Sequence, residues 1–222
     1  MKEILKQRYK DGLLVIAYMI FYMAFFFYVE NRTGVRIHIL EARMDHRIPF
    51  CEYFIVPYYL WFLYVAVTAI WFTLFNNNRT EFYQFAVCMG IGMTLFLIIS
   101  YVFPNGHHLR PYTFPRDNVF TDMVKALYQT DTSTNIMPSI HVFNSVMCCV
   151  AIFESKALKQ RYLIRWSAFV LTVLIVLSTV FLKQHTVLDL IAGIALGAVC
   201  WFFMYRFPLL KRQTVVGYYE ER

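Results

Sequence analysis

The hydrophobic residues of this chain fall in long blocks that are separated by shorter polar stretches. A helix needs ~17–25 apolar residues to cross a bilayer. Six blocks are read as membrane-spanning helices: Leu13–Val29, Phe54–Phe75, Phe85–Phe103, Pro138–Phe153, Leu163–Leu182 and Val187–Phe207. The fourth is the shortest and covers only ~24 Å as a helix, so flanking residues such as Lys156 have to help it reach both membrane surfaces.

Composition supports a membrane protein. Of the 222 residues, 59% are hydrophobic and only 16% are charged, whereas soluble domains have ~45–50% and ~25%. No repeat or linker-like stretch interrupts the pattern, so we predict a single domain over residues 1–222. The five cysteines are odd in number and show no C-x-x-C spacing, which favours neither a disulfide framework nor a zinc site. No small-residue cleavage site follows the first block, which predicts a retained helix.

The basic residues predict the orientation in the membrane. Six spans place both termini on one side, and 13 of the 21 lysines and arginines lie on that side. The positive-inside rule therefore puts both termini in the cytoplasm, and it accounts for the net charge of +7 without nucleic acid. All six histidines and the longest loop, Pro104–Met137, then lie outside. A loop of this length in a compact protein is usually functional or disordered.

A histidine and an aspartate open the sixth span. His185 and Asp189 are four residues apart, so on a helix they would share one face. A carboxylate at that spacing can orient the imidazole and favour its protonated form. The same face continues through Gly193 and Gly197, a G-x-x-x-G pattern that allows another helix to approach closely. A structural His–Asp pair is the alternative interpretation.

The fourth span opens with Pro138-Ser139-Ile140-His141. Proline fits the first helical position, which would leave free backbone N–H groups at Ser139, Ile140 and His141. Such a helix N-terminus is an anion site, and His141 would lie beside the bound anion. An ordinary proline-capped helix with an interfacial histidine is the alternative.

Two cations precede or flank these segments. Arg110, in the long loop, carries a planar guanidinium that matches phosphate oxygens, and Lys183 lies two residues before His185. Each has a structural alternative, namely a solvated loop arginine and an interfacial lysine. The loop between the first two spans, with Asp45-His46-Arg47, lies on the same side and is a candidate gate for lipid entry.

Together these segments resemble the type 2 phosphatidic acid phosphatase superfamily, whose pattern is K-x6-R-P, then P-S-G-H, then S-R-x5-H-x3-D. The matching residues are Arg110 and Pro111, then Pro138, Ser139 and His141, then Ser178, His185 and Asp189. The match covers Arg110 to Asp189 in the family's order.

Three positions depart from that pattern. Phe103 stands where the family has the lysine of its first motif, Ile140 replaces the glycine of the second, and Thr179 replaces the arginine of the third. Further candidates for the phosphate site, besides Lys183, are Arg116, His107 and His108. The bulky second-motif residue and the lost arginine are similar to the inositol phosphorylceramide synthase branch.

The resemblance implies roles for the matching residues. His185 would be the nucleophile that forms a phosphohistidine, Asp189 would orient it, and His141 would protonate the leaving alkoxide and then activate the second nucleophile. Arg110, Lys183 and the backbone N–H groups at Ser139 and Ile140 would hold the phosphoryl oxygens. No metal or other cofactor is implied.

The expectation is therefore an all-α protein, a six-helix transmembrane bundle whose extracytoplasmic active-site loop precedes the fourth helix. Its function would be lipid-phosphate hydrolysis, with phosphotransfer of the inositol phosphorylceramide synthase type as the alternative. A metal-dependent hydrolase built on the histidines and a transporter rank below these, because H-E-x-x-H and inverted repeats are absent from the sequence.

Overall fold

The structure is a computed structural model, and it describes residues 2–207, with the side chains of residues 7–207. Lys211, Arg212 and Arg222, which contribute to the charge comparison above, lie outside the described residues.

Helices make up most of the described chain. In order, the elements are α1 (Lys2–Glu30), β1 (His38–Ile39), a 3-10 turn (Glu52–Phe54), α2 (Ile55–Ile70), a π-helical turn (Trp71–Phe75), α3 (Arg79–Val102), β2 (Asn105–Gly106), α4 (Val119–Thr130), α5 (Ile140–Glu154), α6 (Tyr162–Phe181), α7 (Val187–Trp201) and a second π-helical turn (Phe202–Arg206). The two strands pair in parallel, His38 with Asn105 and Ile39 with Gly106.

Within residues 2–207, five helices are long and apolar enough to cross a membrane: Gln7–Glu30, Glu52–Phe75, Arg79–Val102, Tyr162–Phe181 and Val187–Arg206. They confirm five of the six predicted spans and make the chain a multi-pass membrane protein. The predicted fourth span corresponds to α5, which has 15 residues and is only ~22 Å long. A sixth crossing stays a prediction.

The long loop Pro104–Met137 is more regular than its sequence suggested. It contains β2 and also α4, a helix that the sequence analysis missed. The Asn118 side chain caps α4 by accepting a hydrogen bond from the backbone of Thr121 at 3.0 Å, and Thr121, Val124 and Leu127 form the buried face. This face is short and its hydrophobicity is modest, so it does not stand out beside the membrane spans.

Helix α5 lies at the centre of the bundle and contacts α2, α3, α6 and α7. Its approach to α7 confirms the role predicted for the glycines of α7. A Cβ atom on Gly193 would lie 2.9 Å from the Ser139 carbonyl oxygen, and one on Gly197 would lie 3.0 Å from a methyl group of Val146. Because protein surrounds α5 on several sides, its polar ends need not meet lipid, which is compatible with its short length.

The two ends of the bundle differ in what they hold. One end, called the motif end below, joins the end of α3, the beginnings of α5 and α7, and the connections β1–α2 and α6–α7. At the opposite end, Glu81 is buried and accepts hydrogen bonds from Asn76, Asn78, Ser155 and the backbone of Lys156. That carboxylate ties the α2–α3 and α5–α6 connections together.

Candidate active site

His185 and Asp189 meet at the motif end of the bundle. His185 Nδ1 lies 2.5 Å from Asp189 Oδ2, and Asp189 is fully buried. A carboxylate accepts hydrogen bonds, so Nδ1 carries a proton, and in the neutral imidazole Nε2 then has a free lone pair. The arrangement leaves Nε2 as the ring nitrogen with an available lone pair.

The contact between these two residues arises differently from the prediction. Helix α7 begins at Val187, with Thr186 as its N-cap, so His185 lies before the helix and does not share a helical face with Asp189. Thr186 and Asp189 form a capping box, in which Asp189 Oδ1 accepts the backbone N–H of Thr186 at 2.6 Å and also its hydroxyl. The cap turns the chain so that His185 folds back onto the carboxylate.

His141 approaches His185 from α5. Its Nδ1 lies 3.3 Å from His185 Nε2, and both rings are buried. The lone-pair nitrogen of one imidazole therefore faces the other imidazole directly. This is the geometry of a nucleophile beside a proton donor.

The start of α5 corrects the expectation for Pro138. The helix begins at Ile140 and its N-cap is Ser139, whose hydroxyl accepts the backbone N–H of Val142 at 3.4 Å. Serine is a strong N-cap, which places Pro138 before the helix. The Ser139 N–H, predicted to be free, bonds to the Asp189 carbonyl at 3.2 Å. Ile140 and His141 take the first two helical positions, where the N–H groups lack intrahelical acceptors.

Two aromatic residues of α2 enclose His141, and the sequence analysis missed both. The Tyr58 ring stacks on it with centroids 4.7 Å apart, and the Trp61 ring lies 4.3 Å away. The Tyr58 hydroxyl donates to Asp131 at 2.6 Å. Tyr58 and Trp61 are three residues apart on an apolar helix, a spacing that by itself indicates only a buried face.

Arg110 lies beside the α6–α7 turn that contains His185, and its guanidinium donates hydrogen bonds to protein oxygens. It donates to the carbonyls of Tyr128, Asp131 and Thr132 and to the Gln184 side chain. Three of these acceptors lie at the end of α4 or just after it, so Arg110 fastens that end of the helix to the residue before His185. Burial lowers the pKa of the Arg110 guanidinium.

Lys183 is also buried, and it bonds to the connection between β1 and α2. Its Nζ donates to the carbonyl oxygens of Asp45 at 2.6 Å and Ile48 at 2.5 Å. Burial lowers the pKa of its ammonium group. The predicted contact of this lysine with a phosphate stays a prediction.

The three further candidates are placed differently from one another. His107 is buried, and its Nε2 lies 3.0 Å from the Gln184 carbonyl while its Nδ1 accepts the Leu109 N–H. The backbone of exposed His108 bonds to Glu41. Arg116 forms an ion pair with buried Glu52. Of these three residues, His107 is the one that hydrogen-bonds to the residue before His185.

No cluster of three or more His, Cys, Asp or Glu side chains suited to a metal ion occurs among residues 7–207. The two facing histidines and the Asp189 carboxylate lie in direct contact at the motif end.

The family model described as the PAP2 superfamily matches residues 24–203. The chain belongs to the PAP2 superfamily. The resemblance read from the three motifs is thereby confirmed, and the match contains every helix from α2 to α7. Most of α1 lies ahead of the matched residues.

Among curated proteins, this PAP2 member is similar to a lipid A 4'-phosphatase of Porphyromonas gingivalis. The two are 26% identical over 160 residues, which cover 71% of this chain and 65% of the relative. The chain thus matches less than two thirds of that relative's length. No solved structure matches the chain.

Proposed function

We propose that this protein is a membrane lipid-phosphate phosphatase that works through a phosphohistidine on His185. The observation that carries the proposal is the contact of His185 with both partners, 2.5 Å to Asp189 and 3.3 Å to His141. Membership of the PAP2 superfamily and the similarity to a lipid A 4'-phosphatase support it.

The proposed reaction starts with a neutral His185, which has a lone pair on Nε2, and a protonated His141. His185 Nε2 attacks phosphorus, and the bond from phosphorus to the lipid oxygen breaks as His141 gives that oxygen a proton. His141 then takes a proton from water, whose oxygen attacks phosphorus and breaks the bond to Nε2. Asp189 stabilises the positive charge on His185 in the phosphoenzyme. The phosphoryl group has to displace the His141–His185 contact on entry.

The phosphoryl oxygens need donors around this centre. We assign this role to the Ile140 and His141 N–H groups at the start of α5, where the helix dipole favours an anion. Arg110, Lys183 and Ser139 belong to the same region, and each reaches the anion only by exchanging a hydrogen bond that it now makes to protein oxygen. Arg116, His107 and His108 are assigned no direct contact.

The location is part of the proposal. With both termini in the cytoplasm, as the basic residues predict, the motif end lies outside and α5 is the sixth crossing. The substrate then reaches His185 from the outer leaflet. A transferase would use the same phosphoenzyme with a lipid or polyol hydroxyl in place of water, and Ile140 and Thr179 favour that alternative by their similarity to the inositol phosphorylceramide synthase branch.

The test is acid-quench trapping of phosphoenzyme in detergent-purified protein, with a radioactive lipid phosphate and with a nitrophenyl phosphate. His185→Ala should abolish turnover and labelling with both substrates. His141→Ala should slow lipid turnover by ~10²–10⁴ yet still label with the nitrophenyl ester, whose leaving group needs no proton. Asp189→Asn should keep the fold and lose most activity.

Two outcomes would reject these roles. Substantial turnover by His185→Ala excludes His185 as the nucleophile. Loss of labelling by His141→Ala with the activated ester would show that His141 does more than protonate the leaving group. Free phosphate and new phospholipid are followed together in wild-type protein, so that release of phosphate supports the phosphatase and a labelled lipid product supports the transferase.

A further inference from the structure

The connection between β1 and α2 is bound to both sides of His185. Asp45, in this connection, is 1% exposed. Its Oδ1 accepts the backbone N–H of Val187 at 2.7 Å, and its carbonyl oxygen accepts Lys183 Nζ at 2.6 Å. Lys183 and Val187 lie two residues before and two residues after His185, so one aspartate holds both flanks of that residue.

The connection is itself held firmly. Asp45 Oδ2 accepts the N–H of Ala42 at 2.6 Å, and Ile48 adds a second carbonyl for Lys183 at 2.5 Å. The Cys51 N–H donates to the carbonyl of Phe181, the last residue of α6, at 3.1 Å. Residues 42–51 therefore brace the α6–α7 turn from outside the three motifs.

The turn needs such a brace. Lys183 has a backbone φ of 54°, in the left-handed region that non-glycine residues adopt mainly where their surroundings enforce it. The Lys183 side-chain bonds to Asp45 and Ile48 supply that enforcement. The bond from Asp45 to Val187 fixes the first residue of α7, next to the Thr186 cap that directs Asp189 at His185.

We propose that Asp45 is a positioning residue for His185, acting through Lys183 and Val187. The proposal rests on the proposed function of His185 as nucleophile. Both carboxylate oxygens of Asp45 accept backbone N–H groups, those of Ala42 and Val187, so its contacts are to the turn and not to the reacting groups. Lys183 is part of the same hydrogen-bond network, since its ammonium group donates to two carbonyl oxygens of residues 42–51.

Positioning has a specific kinetic consequence. A displacement of ~1 Å in a reacting group can cost ~10² in rate, whereas substrate binding through other contacts is preserved. We expect Asp45→Ala to lower kcat and the rate of His185 phosphorylation by ~10²-fold, and to change KM and the inhibition constant of vanadate by less than about threefold. Asp45→Asn keeps one acceptor for the Val187 N–H and should recover part of the rate.

Lys183→Met distinguishes a brace from a phosphate ligand. If Lys183 acts through the turn, Lys183→Met lowers kcat as Asp45→Ala does, leaves vanadate inhibition in place, and adds little to Asp45→Ala in the double variant, because both changes release the same turn. Weaker vanadate inhibition in Lys183→Met alone would overturn the assignment of this lysine to the brace.

Glu81→Gln is the matched control. Glu81 is also a buried carboxylate that accepts several hydrogen bonds, but it lies at the opposite end of the bundle. This change should lower thermal stability and leave kcat per folded molecule unchanged. If Asp45→Ala behaves in the same way, with lower stability and wild-type kcat, Asp45 is merely structural and the proposal is wrong.

Hydrogen exchange tests the brace without requiring turnover. Peptides that cover residues 183–189 should exchange at least tenfold faster in Asp45→Ala than in wild-type or Glu81→Gln protein. Unchanged exchange there would overturn the proposal. If wild-type protein hydrolyses no lipid phosphate, the proposed function fails, and the exchange measurement still decides whether Asp45 holds the turn.

Discussion

At the residue scale, Asp189 combines two tasks that are usually separate. Its Oδ1 caps α7 through Thr186, and its Oδ2 contacts His185 at 2.5 Å. Because the cap holds the carboxylate rigidly, the orientation of the imidazole follows from helix formation itself. The geometry therefore couples the folding of α7 to the orientation of the His185 ring.

His107 gives the first prediction at this scale. Burial lowers its pKa, and Nδ1 already accepts the Leu109 N–H. The unfolded chain, with a histidine pKa of ~6.5, then binds more protons than the folded protein below that pH, so stability should fall as pH drops through ~6.5. In His107→Gln, the fall in the thermal midpoint between pH 8 and pH 5 should be smaller than in wild type.

An equal pH dependence in His107→Gln and wild type would contradict the assignment of the acid sensitivity to His107.

The second prediction compares arginine with lysine at position 110. Arg110 bonds to four protein oxygens in different directions, and a lysine ammonium has three donors and no planar fork. Arg110→Lys should therefore reduce kcat/KM by at least tenfold. Arg116→Lys should stay within about threefold, since a lysine can keep a charge pair with Glu52 and Arg116 bonds to that residue rather than to His141 or His185. Kinetics of both variants with one substrate check this, and the reverse ranking would show that the wrong arginine was assigned.

At the element scale, the site depends on how closely α5 and α7 approach. His141 lies on one of these helices and His185 just before the other, and the Ser139 N–H joins them through the Asp189 carbonyl at 3.2 Å. Small residues allow such contact between helices in a membrane. The distance between the two imidazoles is thus set by Gly193 as much as by the histidines.

Gly193→Ala tests this dependence. The added Cβ would lie 2.9 Å from the Ser139 carbonyl and 3.1 Å from Val142 Cβ, so α5 has to move. We expect a loss of ~1–3 kcal/mol, the usual cost of overpacking, together with reduced turnover per folded molecule. Gly90→Ala on α3 is the control, because its Cβ would meet nothing within 4 Å. Thermal unfolding and kcat are measured for both, and equal behaviour would contradict the argument.

At the scale of the whole molecule, the two facing histidines and their carboxylate partner lie together at one end of the bundle. The motif end carries His141, His185 and Asp189, and the opposite end carries structural contacts such as those of Glu81. Such a division suits an enzyme that acts at one membrane surface.

Cysteine labelling tests on which side this surface lies. In a variant without the native cysteines, Asp117→Cys places a thiol at a position whose side chain is 92% exposed, on the loop before α4. An impermeant thiol reagent should label it in intact cells, and should label Lys159→Cys, on the opposite end, only after permeabilisation. Labelling of position 117 only after permeabilisation would reverse the orientation.

The sequence alone determined the features that depend on residues near one another in the chain. Apolar length predicted five membrane-spanning helices that the structure contains, and the spacing of His185 and Asp189 predicted their contact, although a helix cap and not a helix face produces it. The order of the three motifs predicted the superfamily. These signals are local because helix formation and capping involve neighbouring residues.

Only the tertiary structure decided which distant residues surround the histidines. The bond from Asp45 to Val187 spans 142 positions, and Tyr58 contacts His141 from a different helix. Neither residue has a local signature, since a loop aspartate and an apolar helix face occur in most proteins. Their positions follow from how α2, α3, α6 and α7 pack around α5, and the free energy of that packing is shared among many contacts.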